Sequence, residues 1–199
     1  MIYYEKIYNF ISLLTNQKIP RMEVLKMKTP TKNDIAVRNA GVVIINSYIP
    51  MLFERLELTV NNKFTSLENQ KKAVKYLQYV VTGLPNTDEV YLPLNKILCG
   101  LSVTDKVADE IEITNQERDL IQGLLHAVIS HWPEIGDCSV DGFRGNWFIR
   151  DGILSELEDK WELRVEKRAY DILLNRSPFT FSVINFHWMN KPLYINWAY

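Results

Sequence analysis

The run GVVIINSYIPMLF, Gly41 to Phe53, is almost wholly apolar, and it constrains the fold more than any other segment. A surface helix confines its apolar residues to one stripe, whereas a helix that is apolar on most sides has to be enclosed. Continued to Leu58, the segment reads as an enclosed helix. Pro50 should kink or restart it, because proline lacks the backbone N–H and collides with the preceding turn. A membrane does not provide the enclosure, since no run approaches the ~18–20 consecutive apolar residues that a spanning helix needs. The chain must therefore build its own core around this segment. A length of 199 residues with 47% hydrophobic content is enough for one substantial core.

Several segments have the pattern to supply that enclosure. Ser66 caps a helix that carries Ala73, Val74, Leu77, Val80 and Val81 inward and ends at Gly83. Pro85 and Pro93 bracket a turn, and Pro93 to Leu98 reads as a short helix closed by Gly100. Thr114 followed by Glu117 is a capping-box spacing. It opens a helix with Leu120, Ile121, Leu124, Leu125, Val128 and Ile129 on its apolar face, stopped by Pro133 after Trp132. Near the start of the chain, Ile2, Tyr3, Ile7, Phe10, Ile11 and Leu14 recur at helical steps. From Thr15 to Asn39 the composition turns to Lys, Thr and Asn around Pro20 and Pro30, which reads as a linker.

Beyond Gly136 the pattern changes to that of strands. Asp151-Gly152 is the strongest short hairpin signal in the chain. Trp161, Leu163 and Val165 alternate with Glu162, Arg164 and Glu166, the period of a half-buried strand. Phe179 to Phe186 and Leu193 to Trp197 are two further strand candidates. The expected fold is α+β, an N-terminal helical part followed by a small C-terminal antiparallel sheet. Residues 1–40 form an amphipathic helical arm plus Pro/Lys/Thr-rich linker, and residues 41–199 form a single domain.

Composition argues against several functions. With 23 basic and 24 acidic residues the net charge is −1, so no global field favours nucleic acid or an anionic membrane. Two cysteines, Cys99 and Cys138, are too few for a disulfide framework, and no CxxC or Cys/His cluster suggests a metal. Glu5 and Lys6 break the apolar N-terminus early, which makes a poor signal peptide, so the expected setting is cytoplasmic. His126 and His131 share a helix but lie five residues apart. About 500° of rotation at 3.6 residues per turn leaves their side chains ~140° apart, unsuited to one ion. His131 and Trp132 instead pack or cap the helix end. Cys99 lies among apolar neighbours with no activating base and reads as core, and Asn95 as a helix-end hydrogen bonder. Cys138 lies in a loop and has no partner near it in sequence. Glu156, Glu158 and Asp159 fall between two strands, as a solvated turn does. Arg164, Lys167 and Arg168 are expected to pair across strands with Glu162 and Glu166. The residues give no catalytic, metal or cofactor site.

Contact surface remains. Phe179, Phe181, Phe186, Trp188, Tyr194, Trp197 and Tyr199 crowd the C-terminus, more aromatic area than a small sheet's inner face holds. The N-terminal arm must bury its stripe on the domain or in a partner. The expected interface residues are Ile7, Phe10, Ile11, Leu14, Phe186, Trp188, Tyr194 and Trp197.

The order of the blocks GVVIINSYIPMLFERLEL from Gly41, AVKYLQYVVTG from Ala73, LNKILCGL from Leu94 and LLHAVISHWPEIG from Leu124 resembles the contractile injection system tape measure family. The likeness continues through WELRVEKRAYDILLNRSPFTFSVINFHWM and PLYINW, so it covers about residues 41–197. It implies a non-enzymatic part of a phage-tail-like contractile machine whose neighbours are the inner tube and the baseplate hub or spike, with self-association a further option. The forty or so residues before the likeness span only ~60 Å at ~1.5 Å per helical residue. That is short for a length ruler, so an anchoring, capping or assembly-adaptor role is expected. The rival expectation is a transient assembly chaperone or adaptor that is absent from the finished particle.

Overall fold

The buried run forms two consecutive helices in the computed structural model, which describes residues 34–197. The N-terminal arm with Ile7, Phe10, Ile11 and Leu14, most of the linker, and Tyr199 lie outside the described residues. Ala40–Tyr48 is a 3-10 helix, and Ile49–Arg55 (α1) continues it with Pro50 in its first turn. Proline thus restarts the helix as expected, at the position where its missing N–H has no partner to lose. Val42, Val43, Ile44 and Ile45 are all fully buried. The tighter 3-10 winding of the first half differs from the expected α-helix, and Ile45 (φ −93°, ψ 17°) marks the break within it.

Around this centre pack α2 (Leu67–Thr82), α3 (Pro93–Leu98) and α4 (Asn115–Ser130). The Asn69 N–H donates to Ser66 Oγ at 3.0 Å, and Gly83 ends α2 with φ 71°. Ala73, Val74, Leu77, Val80 and Val81 all face the core. The Thr114/Glu117 capping box on α4 is complete, and the Tyr76 hydroxyl donates to the same Glu117 carboxylate. Thr114→Ala removes the acceptor of the Glu117 N–H and one donor to the carboxylate. It is expected to lower stability by about 1 kcal/mol, measured as a shifted urea midpoint at unchanged slope.

The strand region begins later than its sequence pattern indicates. Val140–Phe143 (α5) runs into a π turn, Arg144–Phe148, capped by Ser139 Oγ, which accepts from the Gly142 N–H at 3.1 Å. The wide turn sends both Trp147 and Phe148 inward. A strand would have pointed these consecutive residues to opposite faces. Asp151-Gly152 does not form a hairpin. Gly152 is the first residue of β4 (Gly152–Glu156), where a Cβ would lie 2.9 Å from both Ala40 Cβ and the Arg164 carbonyl. Close packing, rather than a turn, requires glycine there. The turn falls between β4 and β5 (Trp161–Val165), closed by the Leu157 N–H on the Lys160 carbonyl at 2.9 Å, with Glu158 and Asp159 exposed in it.

One strand comes from the segment read as linker: Asp34–Val37 (β1) pairs antiparallel with β4. Four residues are too few to show a period, and Ile35 and Val37 face inward only because β4 lies opposite. The C-terminal candidates shrink to β6 (Val183–Ile184) and β7 (Leu193–Asn196). Phe179 and Phe181 leave the ladder to pack from a loop on Trp132 (6.0 Å between centroids) and Trp197 (5.5 Å). The sheet order is β1-β4-β5-β7-β6. Every pair is antiparallel except β5–β7, which is parallel, with a 3-10 helix at Ala169–Arg176 in the crossover. The α+β layout holds, and the C-terminal sheet is mixed. A separate two-residue hairpin, β2 (Thr59–Val60) and β3 (Lys63–Phe64), follows α1.

Candidate functional site

Among the described residues the histidines and cysteines do not converge, and the titratable side chains that do meet, Lys71, Lys72, Lys106, Glu112 and Glu117 among them, line a cleft between α2 and residues 106–114. His131 caps α4, where its Nδ1 lies 2.6 Å from the Tyr48 hydroxyl, while His126 is exposed on the helix. Trp132, beside His131, is fully buried against Trp147. Cys99 is fully buried, and burial pushes its thiol well above the ordinary range. Burial also raises half-buried Cys138. Among the described residues no three His, Cys, Asp or Glu side chains are placed to hold a metal ion. No described helix is long and apolar enough to cross a membrane. Arg164 pairs with Asp34 of β1 (3.3 Å) rather than with Glu162, and Arg168 pairs with Glu166 (3.4 Å) two residues away rather than across strands.

Asn95 lies in the first turn of α3, and its side chain bonds to other elements rather than capping its own helix. Fully buried, it accepts from Asn39 Nδ2 (2.7 Å) and donates to Gln78 Oε1 (3.0 Å), tying β1's exit to α2 and α3. Such a network has no sequence-local signal, because its three members are far apart in the chain.

The most concentrated polar cluster has no such signal either. Arg150 and Asp171 are both fully buried, with Arg150 Nη2 2.6 Å from Asp171 Oδ1. Arg150 also lies over the rings of Tyr170 (4.9 Å), Trp197 (5.2 Å) and Trp147 (5.6 Å). Asp171 accepts in addition from the Arg168 N–H and from Trp197 Nε1, each at 2.9 Å. The cluster fastens the C-terminal strand to the π turn and to the crossover helix. It is sealed from solvent, so it has a structural use rather than a binding one.

Trp197, expected at an interface, is thus turned inward. Trp188 donates from Nε1 to the Leu98 carbonyl at 2.8 Å and packs with Phe53, Phe64 and Phe186 at 5.1–5.7 Å between centroids. Phe186 and Trp188 are partly buried and packed against the core. Tyr194 is different, at 43% exposed. The register sets Leu154, Leu163 and Ile195 on the core face and Ile153, Arg164, Tyr194 and Val183 on the other. On that face the Asp34 side chain, opposite Ser155, is only 5% exposed, and exposure rises toward β6 and β7. Val183 (49% exposed) lies opposite Tyr194, and Lys160 Nζ sits 4.6 Å above the Tyr194 ring. The exposed apolar part of the sheet face is thus its β6–β7 end, at Val183 and Tyr194.

A second exposed apolar surface belongs to the excursion between α2 and α4, residues 84–113. Two buried ammonium groups hold it in place. Lys75 Nζ donates to the Thr87 (3.0 Å) and Asp109 (2.6 Å) carbonyls, and Lys96 Nζ to Glu89 Oε1 (2.8 Å) and the Val103 carbonyl (3.0 Å). Leu84 (61% exposed), Val90 (69%) and Tyr91 (36%) stand outward from it. Hydrogen bonds from Lys96 and Lys106 hold the Glu89 carboxyl down to about 2. Its folded value is depressed, so its contribution is present above the ordinary carboxylate range, near 4.5, and is lost as pH falls toward 2. The protection factor of the Val107 amide, whose N–H donates to Glu89, is therefore expected to fall across that window once the intrinsic pH dependence of exchange is divided out, and Glu89→Gln to remove that change in protection.

Neither a curated protein nor a solved structure matches the chain. The model of one family does, that of the contractile injection system tape measure protein, over residues 12–197. The match reaches well upstream of Gly41 and takes in β1, together with the whole of the sheet. The match covers most of the chain, which belongs to the contractile injection system tape measure protein family.

Proposed function

We propose that this chain acts without catalysis, as an assembly component that binds the inner tube or the baseplate hub or spike of a contractile injection system. Family membership supports the system. The observation that supports the binding role is the exposed cross-strand pair of Tyr194 and Val183 at the β6–β7 end of the outer sheet face. A sheet in a fold of this size ordinarily buries one face and solvates the other with polar residues. An exposed aromatic beside an exposed valine departs from that pattern and provides contact area at small entropic cost. The protein is made in the cytoplasm and enters the particle there.

Co-expression with the tube and hub proteins tests this reading. Pull-down of one of them, reduced about tenfold or more by Tyr194→Ala with Val183→Ser, is the expected outcome. Absence of both partners from the pull-down removes the proposal. Mass spectrometry of purified particles then separates a resident component from a chaperone that leaves.

A further inference from the structure

The two edges of the five-stranded sheet are finished differently. β1 opens with Asp34, is followed by Arg38 and has α3 packed against it, and charge and cover are usual means of closing an edge. β6, at the other edge, is guarded among the described residues only by being two residues long. The run around it, FTFSVINF from Phe179 to Phe186, contains no charged residue, proline or glycine, and Ser182, Val183 and Asn185 are exposed. The register decides which backbone groups this edge presents. The Ile195 N–H donates to the Ser182 carbonyl at 2.9 Å, while Val183 and Ile184 lie opposite Tyr194 and Leu193. In an antiparallel ladder alternate residues turn their N–H and C=O to the same side. Ser182 and Ile184 therefore turn theirs to β7, and the N–H and C=O of Val183 point away from the sheet. Its side chain lies on the outer face, 49% exposed, in a pair with Tyr194 that has no hydrogen bond of its own, the kind in which side chains stand closest.

Water satisfies such a couple one group at a time. The backbone of another strand satisfies both at once and covers the side chain beside them, which is how strand addition holds an extended segment. We propose that the tube or hub component adds a strand to β6. Its backbone exchanges hydrogen bonds with the Val183 N–H and C=O, and a β-branched or aromatic side chain stands beside Val183 on the outer face. The row formed by Tyr194 and Val183 then continues into the partner. A charge on the added strand would find no counterpart along Phe179 to Phe186, so the segment that fits is an uncharged one. The proposal rests on the tube or hub reading above and adds how the partner is held.

Proline separates backbone pairing from side-chain contact. Val183→Pro removes an N–H that β7 does not use and leaves the bonds of Ser182 and Ile184 in place, a position at which an edge strand tolerates proline. Val183→Thr keeps both the donor and the branched shape. With co-expressed tube and hub proteins, capture by the full chain should fall about tenfold or more for Val183→Pro and stay within about threefold of the original for Val183→Thr. Amide exchange at Val183 should slow about tenfold or more when the partner binds, with Ile184, already paired to β7, as the internal reference. If the unaltered chain captures neither protein, the proposal falls together with the tube or hub reading. If capture succeeds but Val183→Pro leaves it unchanged, or the Val183 amide stays unprotected in the complex, strand addition is overturned and that reading survives. Exchange in the unaltered chain decides between them where a circular dichroism melt shows that Val183→Pro has lost its fold.

Discussion

Asp171→Ala is expected to remove about 3–5 kcal/mol of stability, a large share of what a domain of this size holds. The carboxylate accepts from Arg150 Nη1 (3.2 Å), Arg150 Nη2 (2.6 Å), the Arg168 N–H (2.9 Å) and Trp197 Nε1 (2.9 Å), in a site that admits no solvent. Without it, Arg150 keeps only the Asn146 carbonyl at 2.9 Å and the Glu166 carbonyl at 3.3 Å, and its charge stays buried between three aromatic rings. The penalty is the uncompensated charge rather than the lost bonds. Replacing both partners with apolar residues of similar volume, Arg150→Met with Asp171→Leu, should therefore recover most of the loss. Lys191→Ala deletes a pair with Glu156 that is 2.9 Å long but largely solvated, and should change stability by less than about 0.5 kcal/mol. Urea unfolding followed by tryptophan fluorescence measures all three. A loss below about 1 kcal/mol for Asp171→Ala would mean that the ring stacking, not the carboxylate, holds the cluster.

That cluster also marks the limit of what can be read from the sequence. Elements written in local code are legible: Ser66 and Gly83 bounding α2, the Thr114/Glu117 box, Pro50 restarting a buried helix, and the alternation of Trp161, Leu163 and Val165. The acidic turn at Glu158-Asp159 is legible for the same reason, since a turn is decided by its own few residues. What stays hidden depends on partners distant in sequence. Asp34–Val37 becomes a strand only because β4 lies beside it, and Asp151-Gly152 looks like a turn until Ala40 and Arg164 occupy the space a side chain would need. Parallel pairing of β5 with β7 follows from the crossover, which periodicity does not encode. Alternation from Leu193 and Ile195 places Trp197 on the core side and Tyr194 on the other. What local pattern does not show is Asp171, which gives Trp197 a hydrogen-bond partner inside the molecule. The excursion's two buried lysines are equally silent, because lysine in a sequence signals solvent until a carbonyl is placed opposite it.

Glycine provides the sharpest test of these packing arguments, because one substitution should have opposite effects at two helical positions. At Gly41, in the 3-10 helix, a Cβ would stand 1.6 Å from the Trp147 carbonyl oxygen and 2.9 Å from Phe148 Cα. Both obstacles are backbone, in the π turn that also carries Arg144 and leads to Arg150, so no side chain can rotate away. Gly41→Ala must push the 3-10 helix off the π turn, and is expected to lower stability by about 3 kcal/mol or more. It should also disturb the near-ultraviolet circular dichroism, because Trp147 lies 4.5 Å from Trp132, centroid to centroid. Gly123, exposed in the middle of α4, has nothing within 4 Å of the point where a methyl group would stand. Gly123→Ala should stabilise by about 0.5–1 kcal/mol, through helix propensity and a less entropic unfolded chain. If Gly41→Ala is tolerated while Gly123→Ala behaves as expected, the contact between the 3-10 helix and the π turn is looser than described. The route by which the buried run positions the Arg150 cluster, and through it the C-terminal strand, would then have to be redrawn.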